Sequence, residues 1–266
     1  SAASDVYKRQ LFFNAGNGCA VNAYFCLKTQ ILSVIIKLHD QTGGMVKSAA
    51  AAGILSKKGM NTLTSTTYDP KNLPADFVKI YGGSEKDVQV YSSPARINII
   101  GEHIDYNGGK VFPAAINKYL YVAIRKRGDS KIIYNDIHFP GTFEFDINDE
   151  FVFDKKNDYA NYLNGILSQL KAAGHHFDCG FEILMASNIP AGGGISSSSA
   201  LECGFAYAVS ETFGFGIDRI TIAKLGQMSE HKFMNVNCGI MDQFIIAMGK
   251  KNTAIVLDCN TLEYEY

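Results

Sequence analysis

A run of glycines followed by serines is the first segment whose residue types could do chemistry. The stretch NIPAGGGISSSSALECG occupies residues 188–204 and sets three glycines and four serines in front of a helix-like apolar run. Glycine lets a ligand approach the backbone closely, and a helix start offers unpaired N–H groups with partial positive charge. We therefore expect an anion here, most often phosphate, with serine hydroxyls available to it or to a phosphate-bound Mg²⁺.

The other interpretation of this segment is a flexible turn with a serine cap, because Gly/Ser tracts are often only that. The strand predicted before it and the helix predicted after it favour the phosphate loop. The segment is not a Walker A loop, since GxxxxGK[ST] is absent. It is not a GxGxxG fingerprint either, since Ser197 stands where the last glycine would be.

A polar loop that follows a predicted strand could hold a sugar. The stretch ARINIIGEHIDYNGG (95–109) carries Arg96, Glu102, His103 and Asp105. Carboxylates accept hydrogen bonds from sugar hydroxyls, and arginine donates them in a fixed fork. An ordinary polar loop with an internal Arg–carboxylate pair fits the same residues. His103 and Asp105 alone form no recognisable metal site.

Two acids occupy positions where they could serve a reaction. Asp242, in CGIMDQF (238–244), has apolar neighbours, and such an acid is costly unless it is paired or employed. The alternative is an acid that stabilises a helix N-terminus. Glu230 lies at the end of a long predicted helix, where it is either a solvated acid or a Mg²⁺ ligand or its neighbour.

The elements that must position these residues are mixed helices and strands. We expect Asp218 to cap one helix and Gly174 to end another. Helices are predicted at 73–82, 159–174, 200–214, 218–233 and 239–249. Strands are predicted at 88–101, 119–127, 131–135, 142–147, 180–186 and 253–259.

Composition narrows the class of protein. The 266 residues carry a formal net charge of −1, so no global basic field indicates nucleic acid. No apolar run reaches the length of a membrane span. The six cysteines fit no zinc or redox spacing, which favours a reducing compartment, the cytoplasm. We expect residues 1–59 to be a non-native or disordered extension, with Met60 as the natural start.

The three polar segments, in this order, resemble the galactokinases of the GHMP small-molecule kinase family. GEHIDYNGG is similar to the galactokinase signature, and GGGISSSSA and CGIMDQF are similar to later motifs of the family. The resemblance implies an α+β fold for residues 60–266, the GHMP kinase N-terminal domain of the ribosomal protein S5 domain 2-like type. It also implies a ferredoxin-like C-terminal domain, which we expect to be missing here because the family's third, Gly-rich motif is not found.

The resemblance also implies an activity, transfer of the ATP γ-phosphoryl group to the anomeric hydroxyl of α-D-galactose, with ATP and Mg²⁺ as cofactors. A monomer is expected, with no nucleic acid or membrane partner. The residues implied to surround the sugar are Arg96, Glu102, His103, Asp105, Gly239 and Asp242. Those implied for the phosphates are Gly192, Gly193, Gly194, Ser196, Ser197 and Ser198. Ser198 and Glu230 are implied for Mg²⁺, and Asp242 with Arg96 for catalysis.

Some residues depart from the family pattern without removing a reactive group. Ile104 replaces a common threonine, and Asn235 stands where glycine is typical, although asparagine tolerates positive φ. Two alternatives stay open: a related kinase for N-acetylgalactosamine or arabinose, and a non-catalytic sugar sensor. Loss of the serines or of Asp242 would be the obvious way to disable catalysis. The serines and Asp242 are all present, which argues against the sensor.

Overall fold

Two long antiparallel strands form the backbone of the sheet. In the computed structural model of the chain, the described residues are 68–190 and 193–266. Strand β1 (Gln89–Ile100) pairs along β2 (Lys110–Lys126). The other edge of β2 pairs with β5 (Phe181–Ser187) and, near its start, with β6 (Val256–Asp258). The long β2 therefore joins β5, which precedes the Gly/Ser segment, to β1, which precedes the polar loop at 101–109.

The remaining strands extend the sheet on both sides. Its order is β4-β3-β5-β2-β6-β7, with β1 on β2, where β3 is Lys131–Asp136, β4 is Phe143–Asp146 and β7 is Tyr264–Glu265. Strands β3 and β5 are parallel, and the other pairs are antiparallel. The Gly/Ser segment follows β5 directly, so it leaves the sheet at the carboxyl edge of the parallel pair, where ligands often bind.

Helices cover the sheet unequally on its two faces. Helix α1 (Leu73–Tyr81) packs on a small core with Ala123 and Leu184. The alternate residues Val122 and Ile183 point into the larger core, because successive side chains of a strand face opposite sides. Four more helices of the described residues contribute to that larger core: α2 (Ala160–Ala172), α3 (Ser197–Phe213), α4 (Arg219–Lys232) and α5 (Met241–Met248).

Helix α3 is the element around which the larger core is built. It packs against β1, β2, α2, α4 and α5, and most of its residues are buried. A Cβ on Gly204 would lie 2.8 Å from Cβ of Ser93 on β1, so glycine lets this helix sit close to the sheet. The start of α3 is thereby fixed next to the strand that carries Arg96.

The predicted helices are confirmed within a few residues, and the cap at Asp218 is confirmed by its bond from the Thr221 N–H at 3.0 Å. Two strand segments were missed, the first half of β2 and the short β7. Pro113 weakened the pattern of β2, yet its carbonyl accepts a bond from the Ile255 N–H. The prediction for residues 1–59 lies outside the described residues. No helix within the described ranges is long and apolar enough to cross a membrane.

Gly180 provides a test of the β3–β5 pairing. A Cβ there would overlap the carbonyl oxygen of Lys131, which is backbone and cannot rotate away. We expect Gly180→Ala to lower the free energy of unfolding by about 1–3 kcal/mol, measured by urea denaturation. Gly128→Ala is the matched control, because its Cβ would meet nothing within 4 Å. Equal stability of the two variants would contradict the strand pairing.

Candidate active site

The centre of the site is an ion pair between Arg96 on β1 and Asp242 in the first turn of α5. Arg96 Nε donates to Asp242 Oδ1 at 2.6 Å, and Nη2 donates to Oδ2 at 2.9 Å. The two side chains are 13% and 25% exposed. Asp242 is therefore paired with arginine in a two-pronged, charge-assisted contact, and its remaining exposure leaves it open to a ligand.

The Gly/Ser loop joins the same ion pair. Ser196 Oγ donates to Asp242 Oδ2, and Arg96 Nη1 donates to the carbonyl of Gly194 at 3.1 Å. The Arg96 N–H also donates to the carbonyl of Ile195 at 3.2 Å. Strand β1, the loop after β5 and helix α5 therefore meet at one carboxylate.

The start of α3 has the features of an anion site. Ser196 precedes the helix with φ 59 and ψ 54, and its side chain caps none of the helix N–H groups. Gly193, Gly194 and Ser197 are exposed, and Ser198 is half-buried. Gly192 lies outside the described residues. Because the hydroxyl of Ser196 turns to Asp242, the first N–H groups of α3 are left for a ligand.

The sugar loop folds as a tight turn held by internal bonds. Glu102 Oε2 accepts from Asn98 Nδ2 at 2.8 Å, and the His103 carbonyl accepts from Asn107 Nδ2 at 3.0 Å. His103 adopts φ 59, and the loop closes with Gly108 at φ 73. Glu102 and His103 are exposed, so their polar atoms face the solvent side of the turn.

Asp105 and Gly239 are brought together from distant parts of the chain. Asp105 is partly buried in a short 3-10 helix (Asp105–Asn107). A Cβ on Gly239 would overlap the Asp105 carboxyl group, so only glycine fits at that position. Gly239 lies three residues before Asp242, and the sugar loop is therefore linked to the start of α5.

Glu230 is buried near the same carboxylate, not solvated. It is 7% exposed in the last turn of α4. Burial raises the pKa of Glu230; the nearby His231 opposes this, and the negative charge of Asp242 adds to it. Within the described ranges, no group of three or more His, Cys, Asp or Glu side chains could hold a metal ion.

Glu202 is the residue that the sequence reasoning missed. It is 0% exposed in α3. Burial raises the pKa of Glu202 well above its usual range and the charge of Glu230 raises it further, while Gln243 and Ser229 oppose the shift. The signal was available, because a glutamate inside the apolar run ALECGFAYA is as unusual as Asp242 among its isoleucines.

The raised pKa of Glu202 predicts how stability depends on pH. The folded protein keeps its proton at pH values where the unfolded chain, with its pKa near 4.5, has lost it. This contribution is therefore fully present below the unfolded pKa and is lost as pH rises through the folded pKa. Glutamine does not titrate. We therefore expect the melting temperature of Glu202→Gln, relative to that of wild type, to increase as pH rises from about 5 to about 8.

Scanning calorimetry at several pH values measures this gain. Glu144→Gln is the matched control, since Glu144 is 60% exposed at 4.0 Å from Lys131, and its difference from wild type should stay flat. A flat difference for Glu202→Gln as well would show that Glu202 does not hold a proton on folding.

Two family models match segments of the chain that contain these residues. The model of the galactokinase galactose-binding signature matches residues 75–126, and that of the GHMP kinases N-terminal domain matches residues 161–250. The first range contains the sugar loop, and the second contains the Gly/Ser loop, Glu230 and Asp242. The predicted α+β class and GHMP kinase N-terminal domain are thus confirmed.

The relatives named galactokinase are similar over three quarters of the chain. The protein of Clostridium beijerinckii is 44% identical over 197 residues, 73% of this chain and 50% of its own length. The protein of Ligilactobacillus salivarius is 46% identical over 200 residues, which are 74% of this chain and 51% of its own length. The chain spans about half the length of the curated relatives it matches.

Solved structures of related kinases match the fold of this chain. The galactokinase of Lactococcus lactis, complexed with galactose, matches 72% of this chain and 50% of its own, with a TM-score of 0.69 and 41% identity. The mevalonate kinase of Methanococcus jannaschii matches in fold alone, with a TM-score of 0.57 and 23% identity. The chain belongs to the GHMP kinase family, and its signature and relatives place it with the galactokinases.

Proposed function

We propose that this chain carries the reactive residues of a galactokinase, which transfers the γ-phosphoryl group of ATP to the anomeric hydroxyl of α-D-galactose and yields galactose 1-phosphate. The observation that carries the proposal is the convergence of Arg96, Ser196 and Asp242. It brings the second half of β1, the end of the Gly/Ser loop and one acid to a single point. The solved relative that holds galactose supports the choice of sugar.

Asp242 acts on the hydroxyl that attacks the γ-phosphorus. Its two oxygens accept three hydrogen bonds, two from Arg96 and one from Ser196. A carboxylate has about four lone-pair sites, so one remains for the sugar hydroxyl. Asp242 then accepts its proton as a general base, or it orients the hydroxyl while Arg96 favours the ionised form. The arrangement allows both versions.

The phosphates bind at the start of α3. The Gly194 N–H and the first turn of the helix supply donors, and Ser197 and Ser198 add hydroxyls, while the Gly193 N–H donates to the Pro190 carbonyl at 3.3 Å. Phosphoryl transfer depends mainly on positioning and charge neutralisation, and a helix N-terminus provides partial positive charge toward the phosphates. Because Arg96 holds the Gly194 carbonyl, the loop is tied down before ATP arrives.

Glu230 and Ser198 hold Mg²⁺ together with the phosphates. Both supply oxygen, the ligand type that Mg²⁺ prefers, and Mg²⁺ commonly uses one or two protein ligands plus nucleotide phosphates. The fit rests on Glu230 itself, a buried carboxyl without a salt bridge to any described residue. When bound, the ion neutralises charge that develops on the transferred group.

The sugar is held by the loop that follows β1. Glu102, His103 and Asp105 bind its hydroxyls, and the Gly239 backbone closes on it from the side of α5. Arg96 contacts the hydroxyl that reacts, through its unpaired N–H edge. Donors and acceptors placed in this way recognise a hexose because an analogue that lacks a hydroxyl leaves them unpaired.

We place the reaction in the cytoplasm and expect a monomer, with galactose and ATP as its partners and neither nucleic acid nor membrane. The cysteines Cys179, Cys203, Cys238 and Cys259 are free thiols, as is usual in a reducing compartment.

A coupled assay of ADP release tests the activity. Galactose, N-acetylgalactosamine, arabinose and glucose should be compared, with this chain and with a version extended to the length of its relatives. ADP release with galactose alone supports the proposal. Release with another sugar alone would instead assign a related kinase, and sugar binding without turnover in the extended protein would assign a sensor.

Asp242→Asn tests the reactive acid. The amide keeps the shape and one acceptor but cannot take a proton or carry charge, so we expect kcat to fall by about 10²–10⁴-fold with galactose affinity largely kept. Steady-state kinetics and calorimetric titration of galactose measure the two quantities. Asp178→Asn is the control, since Asp178 is 71% exposed and bonds to Lys126 and to the neighbouring Cys179 thiol, not to a residue of the site. Unchanged turnover in Asp242→Asn would remove Asp242 from the mechanism.

A further inference from the structure

Three buried polar side chains lie on the three helices that form the candidate active site with β1. Glu202 of α3, Ser229 of α4 and Gln243 of α5 are each at most 1% exposed. Both carboxyl oxygens of Glu202, Ser229 Oγ and Gln243 Oε1 are buried without a well-formed hydrogen bond to any described residue. Buried polar groups in this state destabilise a fold, so the cluster needs a reason other than stability.

The position of the cluster along the chain suggests that reason. Ser229 immediately precedes Glu230, and Gln243 immediately follows Asp242. Ser229 and Gln243 lie beside the Glu202 carboxyl and favour its charged form, while burial and Glu230 favour the neutral one. Glu202 therefore lies beside Ser229 and Gln243, the chain neighbours of Glu230 and Asp242.

The helices around this cluster are packed as closely as glycine allows. A Cβ on Gly226 of α4 would lie 2.9 Å from Gln243 Cγ. A Cβ on Gly165 of α2 would overlap Ser229 Oγ. Protein cores transmit small shifts because they are close-packed, so the polar heads at this junction help to set where α4 ends relative to where α5 begins.

We propose that Glu202 is a positioning residue whose buried carboxyl, set beside the Ser229 and Gln243 side chains, fixes Glu230 relative to Asp242. It touches neither sugar nor nucleotide and acts through the two helices. The inference rests on the proposed function for the roles of Glu230 and Asp242. Outer residues of this kind commonly change metal affinity or activity by about 10–100-fold when they are replaced.

Glu202→Met tests the proposal because methionine fills a similar volume without a polar head. We expect the melting temperature to stay the same or rise, since an apolar side chain replaces an unpartnered polar one. We expect kcat to fall by about tenfold or more, with KM for galactose little changed. Affinity for Mn²⁺ in the presence of ADP, measured by electron paramagnetic resonance, should fall in parallel.

Two further variants separate positioning from packing. Glu202→Gln keeps the shape and a polar head, so we expect it to retain most of the wild-type kcat and Mn²⁺ affinity. Gln243→Met removes the neighbouring polar side chain on α5 and should behave like Glu202→Met. The double Met variant should lose little more than either single one, because residues that act as one unit are not additive.

Glu182→Met is the matched control for replacing a buried glutamate. Glu182 is 4% exposed in its side chain and is ion-paired with Arg125 and Arg127 on β2 and just beyond it. Loss of the carboxylate removes the ion pairs of both arginines with Glu182, so we expect the melting temperature to fall. The kcat of the folded protein and its Mn²⁺ affinity should stay at wild-type values.

The assays distinguish failure of this inference from failure of the proposed function. A wild-type protein that binds Mn²⁺ with ADP but does not phosphorylate galactose refutes the proposed function only, and Mn²⁺ affinity of the variants then decides the role of Glu202. The positioning role is overturned if wild type binds no Mn²⁺ with ADP, if Glu202→Met keeps its Mn²⁺ affinity, or if Glu202→Gln is as impaired as Glu202→Met.

Discussion

The contact between Arg96 and Asp242 is the interaction on which the rest of the site depends. It joins residues 146 positions apart at 2.6 and 2.9 Å. Because both side chains are largely shielded from water, loss of either partner would leave a charge that the surroundings cannot satisfy. The same arginine also holds the Gly/Ser loop through Gly194. One guanidinium thus contacts both the Gly/Ser loop and Asp242.

The chain accepts local strain to build this arrangement. Of the six non-glycine residues with positive φ among the described residues, His103, Ser196 and Asn235 lie in the segments that form the site. Such conformations cost free energy and persist where the surrounding structure holds them in place. Ser196 illustrates the gain, since its left-handed backbone turns its hydroxyl away from the helix start and toward Asp242.

Two buried acids on helices α3 and α4 are the second cost. Glu202 and Glu230 are both nearly inaccessible to water, and burial raises the pKa of each. Perturbed acids of this kind are typical of functional sites. The glycines at 165 and 226 let the helices meet closely enough to enclose them. The sheet and the core around α3 therefore stabilise the fold, and the buried acids of the site offset part of that stability.

The sequence by itself determined the local elements and the candidate segments, because these depend on short-range patterns. Hydrophobic periodicity located the helices, the run of glycines and serines located the segment before α3, and Asn235 was expected to tolerate the positive φ that it adopts. Only the tertiary structure decided that Asp242 pairs with Arg96 and Ser196, that Glu230 is buried, and that Glu202 lies beside both acids' neighbours. Contacts between residues far apart in the chain depend on how the helices pack on the sheet, and no local pattern encodes that packing.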